Sequence, residues 1–311
     1  MSVAREYPLS AGMRAFVAAT RAFACADPAP AAQRSAYARM AAAFTPPRPP
    51  GLQVRDLSLS GCAPLRRYRP PCARPAAGWP AILFLHGGGW MLGGLDSHDF
   101  LCAELAARLG VLVLALDYRL APEQPFPAAL EDSLAAWRAL RDGALDEPID
   151  ATRLAVLGDS AGGNLAAALC LALRDAAEAQ PCLQALIYPA LGDAPTASRQ
   201  DCADAPLLST ADLQACLDAY LPRREQRHRP LALPLRAAEL AGLAPAFIAV
   251  AECDPLRDDG LHYAERLRSA RVAVDYFAGE GLVHGCLRAR QLPEVERLYA
   301  ALFEALGRHL R

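Results

Sequence analysis

The chain has 311 residues, and 53% of them are hydrophobic, which is enough for a large core and excludes global disorder. Its 32 basic and 34 acidic residues give a net charge of −2, so no basic surface for nucleic acid or an anionic membrane is expected. No stretch approaches the ~20 apolar residues of a membrane span. Arg14 and Arg21 interrupt the apolar N-terminal stretch, so it does not fit a signal peptide. We therefore expect a cytoplasmic protein.

The ten cysteines are spread along the chain, without a CxxC pair or a Cys/His cluster of metal-ligand spacing. Several lie in apolar stretches, among them Cys102, Cys170 and Cys216, where a free thiol behaves as a small hydrophobic side chain. We expect buried thiols in a reducing compartment. The sequence also lacks a phosphate-binding loop, so neither a metal nor an organic cofactor is expected.

Residues 10–44 predict two alanine-rich helices, which the proline-rich segment 45–51 brings to an end. Residues 52–60 alternate like a half-exposed strand, and residues 63–70 are its predicted hairpin partner. Five short apolar runs follow, and such runs are typical of strands buried on both faces of a parallel sheet. They are PAILFLH (80–86), VLVLALDY (111–118), RLAVLG (153–158), CLQALIY (182–188) and PAFIAVAE (245–252).

Helical patterns lie between these strands, at residues 97–110, 127–143 and 164–178. In the first, leucines repeat every four residues, Ser97 is placed to cap the N terminus and Gly110 to end the helix. Alternation of strands and helices on this scale predicts a doubly wound, mostly parallel α/β sheet with helices on both faces.

One region departs from this alternation. The roughly 55 residues before the strand 245–252 contain no predicted strand, only a helix at 209–221 and the arginine-rich segment Arg223–Arg229. Such an excursion is usually a lid or a binding element. The arginine-rich segment either attracts an acidic substrate or partner, or is a solvated loop. Further along, the apolar face of the last helix, residues 292–306, closes the core or pairs with a second subunit, so a homodimer is one expectation.

Residues Gly158 to Gly162 read GDSAG, between a predicted strand and a predicted helix. This is the context of a nucleophile elbow, in which a strained turn holds Ser160 clear of its neighbours at the edge of the sheet. The motif alone also fits an ordinary glycine-rich turn. A second motif, HGGGW at residues 86–90, favours the elbow, because glycines let a loop present bare N–H groups to an oxyanion.

We predict that the oxyanion donors are the backbone N–H groups of Gly88, Gly89 and Ala161. We expect His86 to brace the glycine loop by hydrogen bonds. Trp90 lines the acyl pocket or simply packs in the core, and Tyr188 is a second candidate for the pocket wall.

An activated serine needs a base, and the base needs an acid that orients it; in this fold the chain order is nucleophile, acid, base. Asp254 follows the strand 245–252 and is the predicted acid, whereas Glu252 at the strand end is a structural partner. His284 lies in a glycine-rich loop after the last predicted strand, 272–277, and is the predicted base. The other acids and histidines near these motifs are not predicted to take part in the reaction. Asp258 and Asp259 belong to the first turn of the next helix, and we expect His98, His228, His262 and His309 to be solvated.

Taken together, these strings resemble the hormone-sensitive lipase family of α/β-hydrolases, especially its bacterial esterases. They are HGGGW, LDYRLAPEQPFPAALED, GDSAGGNLA, LIYP, AECDPLRDDG and VHG. The resemblance implies an α/β-hydrolase fold with an eight-stranded, mostly parallel sheet, and the triad and oxyanion donors named above. It implies that Asp117–Glu123 supports the oxyanion loop. It also implies a helical cap built from residues 1–50 and an insertion at about 190–235 of the catalytic domain 51–311.

The predicted function is a serine carboxylesterase that hydrolyses small-molecule esters of short-to-medium acyl chains through an acyl-enzyme. The alternatives are hydrolysis of an amide, a formamide or a lactone by the same triad. A different class is a ligand-binding protein on a hydrolase scaffold, but such proteins typically lose the acid or the base, and both are present here.

Overall fold

Eight strands form one sheet with the order β1-β2-β4-β3-β5-β6-β7-β8 in the computed structural model, which describes residues 6–311. The strands are β1 (Gln53–Leu57), β2 (Leu65–Arg69), β3 (Trp79–Leu85), β4 (Leu112–Leu116), β5 (Ile149–Asp159), β6 (Gln184–Ile187), β7 (Ala246–Cys253) and β8 (Val274–Val283). Pairs β1/β2 and β2/β4 are antiparallel, and the other five are parallel. The predicted mostly parallel, eight-stranded sheet with its N-terminal hairpin is therefore confirmed.

Nine α-helices accompany the sheet in the part of the chain that the structure describes. They are α1 (Ala11–Arg21), α2 (Pro30–Ala43), α3 (Asp99–Leu109), α4 (Ala128–Arg141), α5 (Ala161–Asp175), α6 (Ala197–Asp201), α7 (Thr210–Tyr220), α8 (Arg257–Ser269) and α9 (Pro293–Leu310). Short 3-10 helices occur at Arg224–His228, Pro234–Arg236 and Cys286–Arg288. None of the helices within residues 6–311 is both long and apolar enough to cross a membrane.

The central strands are buried on both faces, which explains their continuous apolar sequence. In β3, Leu83 and Leu85 point into one hydrophobic cluster, together with residues of α4, α5 and α8. Ile82 and Phe84 alternate with them and point into a second cluster, together with residues of α1, α3 and α9. The helices therefore cover both faces of the sheet, as the sequence predicts.

The start of α3 differs from the prediction. Ser97 does not cap this helix: the residue at the cap position is His98, which makes no capping hydrogen bond with its side chain. The helix begins at Asp99, so Ser97 precedes the cap position and belongs to the turn before it. Its hydroxyl donates to the Gly94 carbonyl at 2.7 Å and accepts the Gly94 N–H at 3.2 Å. The predicted end of the helix is confirmed, since Gly110 adopts the left-handed conformation with φ 68°.

Two parts of the chain lie outside the strand–helix alternation. The described part of the predicted 1–50 cap segment contains helices α1 and α2, and the first five residues of the segment lie outside the described range. Between β6 and β7, residues 190–244 contain α6, α7 and two 3-10 helices but no strand. The grouping of these two parts into a cap stays a prediction. Arg34 of α2 ties the first part to the loop after β3 by donating to the Met91 carbonyl at 2.9 Å.

Candidate active site

Ser160 occupies the sharp turn between β5 and α5. Its backbone has φ 54° and ψ −117°, a conformation that a residue with a side chain adopts only under strain. The glycines of the motif let the backbones approach closely: a Cβ on Gly162 would lie 1.9 Å from the Leu85 carbonyl oxygen, and one on Gly158 2.3 Å from the Gly162 carbonyl carbon. The turn is therefore a nucleophile elbow whose shape depends on both flanking glycines.

The structure brings the three predicted triad residues together. His284 Nε2 lies 2.9 Å from Ser160 Oγ, and His284 Nδ1 lies 2.7 Å from Asp254 Oδ2. Asp254 is fully buried, and its other carboxylate oxygen accepts the N–H of Leu256 at 2.8 Å, so the carboxylate is held by β7 and the following turn. The acceptor at Nδ1 fixes the proton there, which leaves Nε2 free to accept the serine proton.

The glycine loop after β3 adopts conformations that require glycine. Gly88 has φ 126° and Gly89 has φ 60°. A Cβ on Gly88 would lie 2.3 Å from the Leu92 carbonyl oxygen. The Gly88 carbonyl accepts the N–H groups of Met91 and Leu92 and is turned into the loop. Within residues 6–311, the N–H groups of Gly88, Gly89 and Ala161 have no hydrogen-bond acceptor, so they are available to an oxyanion.

The segment 117–123 supports this loop, as the resemblance implies. The Tyr118 hydroxyl donates to the His86 carbonyl at 2.6 Å, and its ring stacks on the His86 imidazole at 4.2 Å. The Ala121 N–H donates to the Trp90 carbonyl at 2.9 Å. His86 Nδ1 lies 2.9 Å from the Gly87 carbonyl oxygen, which agrees with the predicted bracing role. Burial lowers the pKa of His86 to about 4, so its imidazole is neutral at pH 7.

Known proteins are similar to this chain in sequence and in fold. Residues 82–288 match a protein family described as the alpha/beta hydrolase fold. The ethyl acetate hydrolase of Pseudomonas putida is 41% identical over 264 residues, which is 83% of this chain and 83% of that protein. The esterase LipI of Mycobacterium tuberculosis is 42% identical over 76% of this chain and 75% of its own length.

The chain belongs to the alpha/beta-hydrolase family. Two solved esterases show how far the shared architecture extends. A thermostable esterase from Pseudomonas putida superposes with a TM-score of 0.89 at 30% identity, over 99% of this chain and 99% of that one. The Pyrobaculum calidifontis esterase gives 0.88 at 31% identity, over 97% and 99% of the two chains.

Behind the elbow of this hydrolase lies a buried polar network that the sequence does not predict. Asp159 accepts the N–H of Gly87 at 2.8 Å, and His98 Nε2 lies 3.3 Å from the same carboxylate. Burial on its own would raise the pKa of Asp159, but these contacts and the nearby Arg288 hold it below its usual value. The buried Arg288 donates to the Ser97 carbonyl at 2.7 Å. The network therefore joins the elbow to the glycine loop.

The prediction that His98 is solvated is wrong. Its side chain is 5% exposed, because α3 packs against the sheet at this point and Asp159 provides an acceptor. Burial lowers the pKa of His98, and the contact with Asp159 acts in the opposite direction. The same prediction is confirmed for His228 and His262, which are exposed. His309, at the end of α9, is only half-exposed.

The acidic residues around Asp254 have structural contacts. The Glu252 carboxylate accepts the N–H of Gly281 at 2.7 Å and so holds the segment that leads to His284. Asp258 and Asp259 lie in the first turn of α8, as predicted. Both also bind the insertion: Asp258 accepts the N–H of Ser198, and Asp259 accepts the N–H groups at 191 and 192.

The two candidate pocket residues are both buried. Trp90 is 1% exposed, and its ring stacks parallel on the ring of Tyr220, the last residue of α7, with the ring centres 4.3 Å apart. Tyr188 is also 1% exposed and packs on the His284 ring at 4.7 Å. Their role in an acyl pocket stays a prediction.

The structure adds Cys216 of α7 to the surroundings of the site. A Cβ on Gly89 would meet the Cys216 sulfur at 2.5 Å, so the insertion touches the glycine loop directly. Cys216 lies in α7 and Arg288 in the short helix Cys286–Arg288, and neither residue carries a sequence signal for this location. The adjacent polar residues at 97–99 are the only local hint of the His98 network.

Proposed function

We propose that this hydrolase is a serine carboxylesterase. The observation that carries the proposal is the continuous hydrogen-bonded chain from Ser160 through His284 to Asp254. The N–H groups of Gly88, Gly89 and Ala161, which have no acceptor within residues 6–311, complete the machinery. The esterases among its relatives, at about two-fifths identity, support the same reaction.

The proposed reaction begins when His284 Nε2 takes the proton of Ser160 and Oγ attacks the ester carbonyl carbon. The carbonyl π electrons move to oxygen, and the oxyanion accepts hydrogen bonds from Gly88, Gly89 and Ala161. The protonated imidazole, stabilised by Asp254, then gives its proton to the leaving alkoxide as the C–O bond breaks. Water, deprotonated by the same imidazole, attacks the acyl carbon. The bond to Ser160 Oγ then breaks, Oγ takes the proton from the imidazole, and the acid is released.

The helices around the site favour small substrates. Ser160 is only 8% exposed, and α7 contacts the glycine loop through Cys216 and Tyr220. A confined site of this kind suits esters of short-to-medium acyl chains. Amides, formamides and lactones remain the alternatives, because the same chain of hydrogen bonds serves them; a pure binding role is disfavoured because all three triad groups are in contact.

The test is hydrolysis of p-nitrophenyl esters from acetate to palmitate by the wild type and the Ser160→Ala variant, with a formamide and a lactone in parallel. We expect the highest kcat/KM on short or medium esters and a fall in kcat of about 10⁶ in the variant, the scale seen when a serine nucleophile is removed. Ester rates that are undetectable in folded wild-type protein, or unchanged in the variant, would contradict the proposal.

Two finer assignments accompany this function. The motifs from HGGGW to VHG support placement in the hormone-sensitive lipase branch of the family. A cytoplasmic, reducing location is supported by the ten cysteines, which all lie in the described range and form no disulfide there. Fractionation of cells that express the protein tests the location.

A further inference from the structure

A charged cleft lies within the insertion, apart from the serine. Its volume is about 500 Å³, and all its lining residues fall between positions 190 and 244. The charged or titratable side chains that line it are Asp193, Asp218, Arg224, Arg227, His228 and Arg236. The proposed ester hydrolysis gives none of these groups a role.

The two carboxylates of the cleft are already occupied by arginines. Asp193 binds Arg236 at 2.6 Å and also faces Arg227 at 3.8 Å. Asp218 binds Arg227 at 2.6 Å from the other side. These ion pairs orient the two guanidinium groups, and each group keeps N–H donors that the carboxylates do not use.

The cleft carries an excess of positive charge. Three arginines face two carboxylates, and the side chain of Arg224 forms no hydrogen bond or ion pair within residues 6–311. The His228 side chain, on the same short helix, likewise has no partner in the described part of the chain. Three cations around one cleft repel each other, and an anion between them would relieve that repulsion.

The segment that presents these cations is anchored to the protein. Gln226, 3% exposed, accepts the N–H of Arg223 at 3.0 Å and donates to the Phe126 carbonyl at 3.2 Å. The turn Arg224–His228 is thus held in place before any ligand binds, which lowers the entropy lost on binding.

We propose that this cleft is a binding site for a small molecule that carries an anionic oxygen group, a phosphate or a carboxylate. The ligand would be bound by the free guanidinium of Arg224 and the unused donors of Arg227 and Arg236, with His228 at the rim. Such a ligand binds separately from the ester at Ser160.

The experiment is calorimetric titration of the full chain with inorganic phosphate and, separately, with succinate, at constant ionic strength set by sodium chloride. Arg224→Gln removes a cation without breaking an ion pair. Arg229→Gln is the matched control, because Arg229 is an exposed arginine of the same segment that does not line the cleft. We expect saturable binding to the wild type, at least a tenfold loss of affinity in Arg224→Gln, and a change of less than twofold in Arg229→Gln.

Binding of phosphate alone assigns a phosphate-bearing ligand, and binding of succinate alone assigns a carboxylate. The proposal is overturned if neither anion binds, or if both variants lose affinity equally, since the segment would then attract anions without a site. Repeating the titration in Ser160→Ala separates this outcome from the proposed esterase activity, because the measurement does not use turnover. Thermal unfolding of each variant shows that it is folded.

Discussion

Replacing Gly89 by alanine tests the link between the glycine loop and the insertion. Two effects act at this position. The φ of 60° costs a residue with a Cβ roughly 1–2 kcal/mol. The new methyl group would also lie 2.5 Å from the sulfur of Cys216 and 3.2 Å from its Cβ, so the loop and α7 must separate by roughly 1 Å to reach ordinary contact.

A shift of this size moves the N–H of Gly89 away from the developing oxyanion. Loss of one oxyanion donor lowers turnover by about 10²–10³, and a displacement of about 1 Å is enough to cost about 10². We therefore expect kcat/KM of Gly89→Ala on p-nitrophenyl butyrate to fall about 10²-fold, with most of the change in kcat.

The double variant Gly89→Ala/Cys216→Ala separates the two effects. It removes the sulfur but keeps the strained φ, so we expect it to recover about tenfold of the lost activity, whereas Cys216→Ala alone stays within about threefold of the wild type. Equal losses in the single and double variants would show that contact with Cys216 is not the cause. Full activity of Gly89→Ala would refute the assignment of this N–H group to the oxyanion hole.

Two further predictions concern groups beside the site. Because the pKa of His86 is about 4 in the folded chain and 6.5 in the reference state, falling pH protonates the unfolded chain first. His86 should therefore remove about 3 kcal/mol of stability between pH 6.5 and pH 4. Urea unfolding should show this loss in the wild type and not in His86→Gln; an equal pH slope would contradict it. Glu252→Gln weakens the contact with Gly281, so we expect kcat to fall about threefold to tenfold through poorer placement of His284, whereas the exposed Glu280→Gln has no effect. Identical kinetics for the two variants would refute the positioning role.

The sequence predicts the sheet well because its signals are local. Each central strand is a short apolar run, and burial on both faces is what makes such a run necessary. The positions of Ser160, Asp254 and His284 are also predictable, because each follows a recognisable strand and the carboxyl ends of parallel strands meet at one edge.

The sequence does not predict contacts between distant segments. His98 is polar and lies at the start of α3, so the adjacent sequence does not indicate that it is buried. Its partner Asp159 lies at the end of β5, far along the chain. The contact between Cys216 and Gly89 depends on how α7 packs over the loop, which no periodicity records. Ser97 has the residue type of a helix cap, but the helix begins at Asp99 and the Ser97 hydroxyl oxygen accepts the N–H of Gly94 instead. For His98 and Cys216, tertiary packing overrides the local preference.

The most direct test of the account is the mass of the acyl-enzyme. The wild type is mixed with excess p-nitrophenyl acetate, quenched in acid within one turnover, and analysed by intact mass and peptide mapping. The account predicts one added acetyl group on the peptide that contains Ser160, and none on that peptide in Ser160→Ala. Acetylation at another residue during turnover, or turnover without any acyl-enzyme on a substrate whose deacylation limits the rate, would contradict the claim that Ser160 is the nucleophile.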